Sequence, residues 1–140
     1  MMEFIFSKQV KKHKKNNLPV LALESTIIAH GMPYPESYHF AKKVEIKCRE
    51  KGVAPATIAI LDGQIHVGLN DKNLKRVCRS KEILKLSKRD IPFALATKQS
   101  GATTVSATAW IAFKAGVFVF STGGIGGVHR NVENHFDVSQ

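Results

Sequence analysis

The sequence predicts an α/β fold built on a mixed, largely parallel sheet. Two observations carry that prediction. Apolar runs of strand length alternate with segments of helical periodicity. Turn and stop signals such as Gly52, Asp62-Gly63 and Gly116 fall between them. With 140 residues and 44% hydrophobic composition, the chain can bury a real core as one domain.

Residues 1–17 read as a polar, basic lead-in with a helical turn or two. "LPVLAL" (18–23) reads as the first strand. "ESTIIAHGMPYPES" (24–37) reads as a loop rich in functional groups, broken by Gly31, Pro33 and Pro35. "SYHFAKKVEIKCREKG" reads as a helix. Ser37 is its candidate N-cap, Phe40, Val44 and Cys48 share a face at i+4 spacing, and Gly52 stops it. "ATIAIL" (56–61), the Asp62-Gly63 turn and "QIHVGL" read as a hairpin. "NDKNLKRVCRS" reads as a short helix with Asn70 or Asp71 near its cap, and "EILKLSKRD" returns the chain toward the sheet. "IPFALATKQSG" reads as a helix ending by Gly101, and "ATTVSATAWIAFKAG" as another stopped at Gly116. "VFVF" (117–120) is a continuous apolar run and reads as a buried strand feeding the glycine loop "STGGIGGVHR".

Formal net charge is +10, which favours acidic partners such as phosphorylated metabolites. Lys8, Lys11, Lys12, Lys14 and Lys15 form one basic cluster, and "KRVCRSKEILKLSKR" forms a second. Neither has interleaved aromatics, so solvated faces or a flexible arm are expected rather than a nucleic-acid surface. The two cysteines, Cys48 and Cys78, form no CxxC, which is the pattern of reduced intracellular thiols. No apolar run approaches the about 18 residues of a membrane span, so no membrane partner is expected. A cytoplasmic location is expected. A mitochondrial presequence is the weaker alternative, because the first forty residues contain no arginine.

In open α/β sheets ligands sit beyond the carboxyl ends of the strands. Glu24 directly follows "VLAL", so it projects from a strand end, where a half-screened carboxyl is suited to donate a proton. Capping or pairing with a lysine is the structural alternative. Thr103 and Thr104 either help form an anion site at a helix start or simply cap the helix. Lys85 follows two apolar residues and either faces the crevice, as a point charge for a phosphate, or faces solvent. Gly123 and Gly124 free the loop backbone for close approach, and Arg130 can add a bidentate anion contact. The spacing is neither a GxGxxG fingerprint nor a Walker A loop. His129, His135 and Asp137 include metal-ligand types, but their spacing matches no standard zinc motif.

Five segments in order, "LALESTIIAHGMPYP", "PATIAILDG", "KLSKRDIP", "GATTVSAT" and "STGGIGGVHR…FDVS", strongly resemble pseudouridine-5′-phosphate glycosidase, the indigoidine synthase A-like family. The resemblance runs from about Leu18 to Ser139 and implies that 18–140 is the N-terminal portion of that family's domain. It implies an α/β/α sandwich, incomplete in this chain, and a homotrimer using Mn²⁺ or another divalent metal. The implied reaction is reversible cleavage of pseudouridine 5′-phosphate to uracil and ribose 5-phosphate, through ring opening and a Schiff base to a lysine. Residue by residue, Glu24 matches the proton donor and Lys85 a substrate-binding lysine. Val105 matches a substrate-binding position acting through its backbone. Asp137 matches the metal ligand, and Ser139 the first residue of a substrate-binding "SAD" segment that reads "SQ" here. His129 and Arg130 frame the pocket. The family's Schiff-base lysine lies downstream of the matched segment, and no lysine in these 140 residues aligns with it. The chain alone is therefore expected to be inactive. The alternative is a non-catalytic remnant that binds a sugar phosphate or another subunit.

Overall fold

The structure, a computed structural model, describes residues 2–126. In chain order the elements are β1 (Phe4–Phe6), α1 (Lys8–Lys15), β2 (Val20–Leu23), α2 (Thr26–Ala29), α3 (Glu36–Glu50), β3 (Ala54–Leu61) and β4 (Gln64–Val67). There follow α4 (Asp71–Arg79), β5 (Leu84–Leu86), a 3₁₀ turn at Lys88–Asp90, α5 (Ile91–Ala96), β6 (Gly101–Thr103), α6 (Val105–Lys114) and β7 (Phe120–Ser121).

β3 is the spine of the sheet, and all eight of its residues are buried. β4 pairs antiparallel along one edge, through the Asp62-Gly63 turn, and β1 adds parallel beyond it. The other edge of β3 is shared. β2 runs parallel to its first half, Ala54–Thr57, and β6 runs antiparallel to Ala59 and Ile60. β7 lies parallel outside β2, and β5 parallel outside β6. The sheet is mixed and largely parallel, as the alternation of elements predicts.

Helices cover both faces. Ala54, Ala56, Ile58 and Ile60 of β3 pack into a core with Val10 of α1, Ile91 of α5 and Ile111 of α6. Ala59 and Leu61 point the other way, into a core with Ile28 of α2, Ala41 of α3 and Leu74 of α4. The period-2 alternation of a strand thus serves two cores at once.

Several expectations are corrected. The basic lead-in is part of the fold. Ser7 caps α1, accepting from Val10 N at 3.2 Å, and Val10 is fully buried. Lys14 donates to the Ala115 carbonyl at the end of α6 and lies 5.0 Å from the Phe6 ring centroid. Lys8, Lys11, Lys12 and Lys15 remain solvated. Ser37 is not the cap of α3. The helix starts one residue earlier, and its inner face is Ser37, Ala41, Glu45 and Cys48. Ser37, Ala41 and Cys48 are small, the buried Glu45 carboxylate is paired with Arg49 at 3.0 Å, and Phe40 is exposed. Gly101 opens β6 rather than ending α5. A Cβ there would lie 2.4 Å from Leu86 side-chain atoms, so glycine is what lets β5 and β6 pair. "VFVF" is not a buried strand. β7 is only Phe120–Ser121, and Phe118 and Val119 are exposed, because among the described residues only β2 lies beside it.

Candidate functional site

The carboxyl ends of β2 and β6 run toward each other and meet opposite Ile58 in the middle of β3. A buried knot of hydroxyls joins them. Ser25 Oγ donates to the Ile58 carbonyl at 2.6 Å, and Thr103 Oγ1 donates to the same oxygen at 2.8 Å. Thr103 N donates to Ser25 Oγ at 2.8 Å, and Thr108 Oγ1 donates to Thr103 Oγ1 at 2.8 Å. Ser25, Thr103 and Thr108 are fully buried, and each hydroxyl is partnered, as burial of polar groups demands. The knot fixes the two strand ends against each other. It thereby fixes Glu24, one residue before it, and Thr104 and Val105, directly after it.

Glu24 leaves the end of β2 half-buried. The parallel register Leu23↔Ser121 brings Thr122 beside it, and the Thr122 hydroxyl contacts Glu24 Oε1. Thr122 Oγ1 also lies 3.0 Å from the Gly124 carbonyl and 3.3 Å from Gly124 N. A threonine hydroxyl has one proton and two lone pairs. It can donate to an ionised Glu24. When Glu24 carries a proton, the carboxyl can donate instead and the hydroxyl can turn to the Gly124 carbonyl.

Both residues stand at a cleft of about 240 Å³ with an otherwise mostly apolar wall, including Leu23, Ile27, Phe40, Val44 and Thr57. Gly123 also lines it. A Cβ at Gly123 would make an ordinary van der Waals contact, 3.6 Å from Ile27 Cδ1 on the cleft wall. A Cβ at Gly124 would meet nothing within 4 Å.

Lys85 is half-buried on β5, in register with Ala102. The next residue, Leu86, accepts from Thr104 N at 2.9 Å, so Lys85 approaches the same strand-end region. Val105 is the first residue of α6, half-buried, with Thr104 as N-cap in extended conformation. The start of α6 adjoins a shallow depression lined by Ser87, Lys88, Arg89 and Ser106. Cationic side chains beside a helix start suit an anion. Thr103 stands apart from this picture. Its hydroxyl is committed to the buried knot, so it neither caps α6 nor lines the cleft.

His129, Arg130, Asp137 and Ser139 lie outside the described residues. Among the described residues no group of three or more His, Cys, Asp or Glu side chains is arranged to hold a metal ion. Burial pushes the thiols of Cys48 and Cys78 up, so neither is a poised nucleophile. Among the described residues no helix is long and apolar enough to cross a membrane. Sequence reasoning missed Thr122 and Ser25. Their only signal was position, each directly beside a strand-end residue of the site.

Residues 9–140 match the family described as indigoidine synthase A-like protein. The pseudouridine-5′-phosphate glycosidase of Mycoplasmopsis agalactiae is 51% identical over 139 residues, covering 99% of this chain and 46% of that protein. The protein of the same name from Caldanaerobacter subterraneus is 54% identical over 140 residues, with the same coverage of 99% and 46%. Among solved structures, the prealnumycin C-glycosynthase AlnA in complex with ribulose 5-phosphate has a TM-score of 0.80 at 42% identity, over 97% of this chain and 44% of that one. An indigoidine synthase A-like protein of Thermotoga maritima has a TM-score of 0.82 at 33% identity, over 99% and 44%. The chain therefore spans less than half the length of these relatives. It belongs to the indigoidine synthase A-like family.

Proposed function

We propose that this family member carries the proton-donor half of an enzyme that makes and breaks C-glycosidic bonds to a sugar phosphate. The reaction is the reversible cleavage of pseudouridine 5′-phosphate to uracil and ribose 5-phosphate. One observation supports this above the others: Glu24 stands at a strand end against the Thr122 hydroxyl, at the mouth of an apolar cleft, in a chain about half identical to proteins named for that reaction.

Breaking a carbon–carbon glycosidic bond requires a proton at the ring carbon that leaves the sugar. Glu24 is the group assigned to deliver it, and Thr122 orients the carboxyl. Lys85, the Val105 backbone and the start of α6 are assigned to the sugar phosphate, where fixed positive charge and helix N–H groups favour an anion. Gly123 and Gly124 form the wall that lets substrate approach the backbone. His129, Arg130 and Ser139 complete the pocket in this reading. Asp137 is the assigned ligand for Mn²⁺. The ring-opened sugar is held as a Schiff base by a lysine from the family domain beyond the span of this chain, within a homotrimer. A covalent imine needs a lysine held at the sugar carbon and partly neutral.

The decisive test is a chimera in which these 140 residues replace the matching part of the M. agalactiae relative. It should release uracil from pseudouridine 5′-phosphate. Glu24→Gln in the chimera should lower that rate by about 10²–10⁴-fold with ribose 5-phosphate affinity retained. Full turnover by the variant removes Glu24 from the donor role. The second reading is a non-catalytic protein that binds a sugar phosphate or another subunit. It prevails if the unmutated chimera binds ribose 5-phosphate without turnover.

A further inference from the structure

We propose, on the reading of Glu24 as proton donor, that Thr57 is a specificity-determining residue for the base. Its hydroxyl, inside the apolar cleft beside Glu24, selects uracil by a hydrogen bond to the polar rim of the ring. No motif in the sequence singles Thr57 out; its place in the cleft does.

Thr57, on β3, is only 3% exposed. Its backbone is committed, because it pairs with Leu23 in the β2–β3 ladder and its carbonyl accepts from Gly68 N at 3.0 Å. Its hydroxyl makes no hydrogen bond to any described residue. Folded proteins seldom leave a buried hydroxyl unpaired. Ser25, Thr103 and Thr108 follow that rule, each buried and each bonded. Ser37 Oγ is unpaired too, but it is sealed from solvent. Thr57 Oγ1 is not among the sealed atoms, and Thr57 lines the cleft, so the hydroxyl opens into that space. A buried hydroxyl without a protein partner, facing a cavity, is placed to bond a ligand atom.

The walls decide which part of the substrate that is. Leu23, Ile27, Phe40 and Val44 are apolar, and no lysine or arginine is among the described residues lining the cleft. A phosphate there would meet no cation, so the charged end of the substrate belongs elsewhere. Uracil has two apolar faces and a rim of N–H and C=O groups. One hydroxyl can donate and accept, so Thr57 can meet either kind of rim group. The cleft volume of about 240 Å³ lies below the about 300–1,000 Å³ of sites for drug-sized ligands, and so suits one ring. Phe40 is 41% exposed, and a flat ring in the cleft would cover it. Glu24 lines the same cleft, so a base held there has the assigned proton donor beside it.

The test takes the chimera described above and measures uracil and ribose 5-phosphate binding separately by equilibrium dialysis. Thr57→Val should weaken uracil binding about three- to tenfold and keep ribose 5-phosphate affinity within about twofold, and Thr57→Ser should restore the uracil value. Because the hydroxyl has no protein partner, Thr57→Val should not lower the urea midpoint of the chimera, whereas loss of a structural hydroxyl would. Phe40→Ala, at an exposed side chain, should also weaken uracil binding about three- to tenfold. Unchanged uracil affinity in either Thr57→Val or Phe40→Ala overturns the proposal. So does a loss of ribose 5-phosphate affinity in place of uracil affinity, a lowered urea midpoint in Thr57→Val, or an unmutated chimera that binds no uracil. A chimera that binds uracil through Thr57 without turnover keeps this role for Thr57 and removes the proposed activity. Full turnover with uracil binding indifferent to Thr57 keeps the activity and removes the role.

Discussion

β3 and the segment leading into β7 have similar apolar character in sequence and opposite fates in the structure. β3 is buried along all eight residues, flanked on both edges and roofed by helices on both faces. The run 117–120 contributes one residue to a two-residue strand, and Phe118 and Val119 face solvent. Apolar composition therefore measures what a segment can bury. Whether it is buried depends on neighbours that lie far away in sequence.

The largest expected effects test the β3 side of that contrast. Ile60→Asp places an unpaired charge in the core and should abolish cooperative urea unfolding followed by the fluorescence of Trp110, the lone tryptophan. Ile60→Ala should cost about 2–5 kcal/mol, whereas Phe118→Ala should stay within about 0.5 kcal/mol. Equal costs at the two positions would break the comparison.

Next comes the knot on the Ile58 carbonyl. Thr103→Val leaves that oxygen and the Thr108 hydroxyl each short of a partner and should cost about 1–3 kcal/mol in the same urea titration. Lys14→Met should cost about 1 kcal/mol, because it removes a cation from the Ala115 carbonyl and from the Phe6 ring. A stabilised Lys14→Met chain would show that the lysine only tolerates its site.

The smallest effect is electrostatic. Arg76 grips Asp62 with two bonds of 2.7 Å at the turn that ends β3, and this pair holds the carboxyl down to about 2. The folded value lies below the unfolded one of about 3.9, so the stabilisation is fully present above about pH 4 and is lost as pH falls through about 2. Both side chains are well exposed, so screening limits the gain to about 1 kcal/mol or less. Unfolding titrations between pH 5 and 2 should show this acid loss in the parent and a weaker one in Arg76→Ala. Identical slopes would remove the ion pair from the account.

Much of the fold is legible locally. Asn70 caps α4 by accepting from Asn73 N at 2.8 Å, and the Asp62-Gly63 turn takes φ of 51° and 73°. Gly116, at φ 70°, follows α6 as a stop signal should. These features depend on residues within a turn of each other. β1, α2 and β6 are not legible. β1 and β6 have three residues and α2 has four, which is too short for a periodic pattern, and the two strands exist through pairing with β4, β3 and β5. At the candidate site, Glu24 is legible as a strand-end residue and Lys85 as a residue that follows an apolar pair, whereas Val105 enters only through the family resemblance. Thr103 reads as a helix-start residue in sequence, yet its hydroxyl is turned inward to close the knot.

Composition, turn chemistry and the order of motifs were enough to set the α/β class, the hairpin, the stops of the long helices and the family. Those properties are local, or they are patterns repeated along the chain. Tertiary structure decided that β2 and β6 collide opposite Ile58, that Ser25 and Thr103 meet across 78 residues, that Thr122 holds Glu24, and that Lys14 braces α6. A hydrogen bond between distant residues has no signature in either neighbourhood, because each side chain takes the partner that the sheet register brings to it.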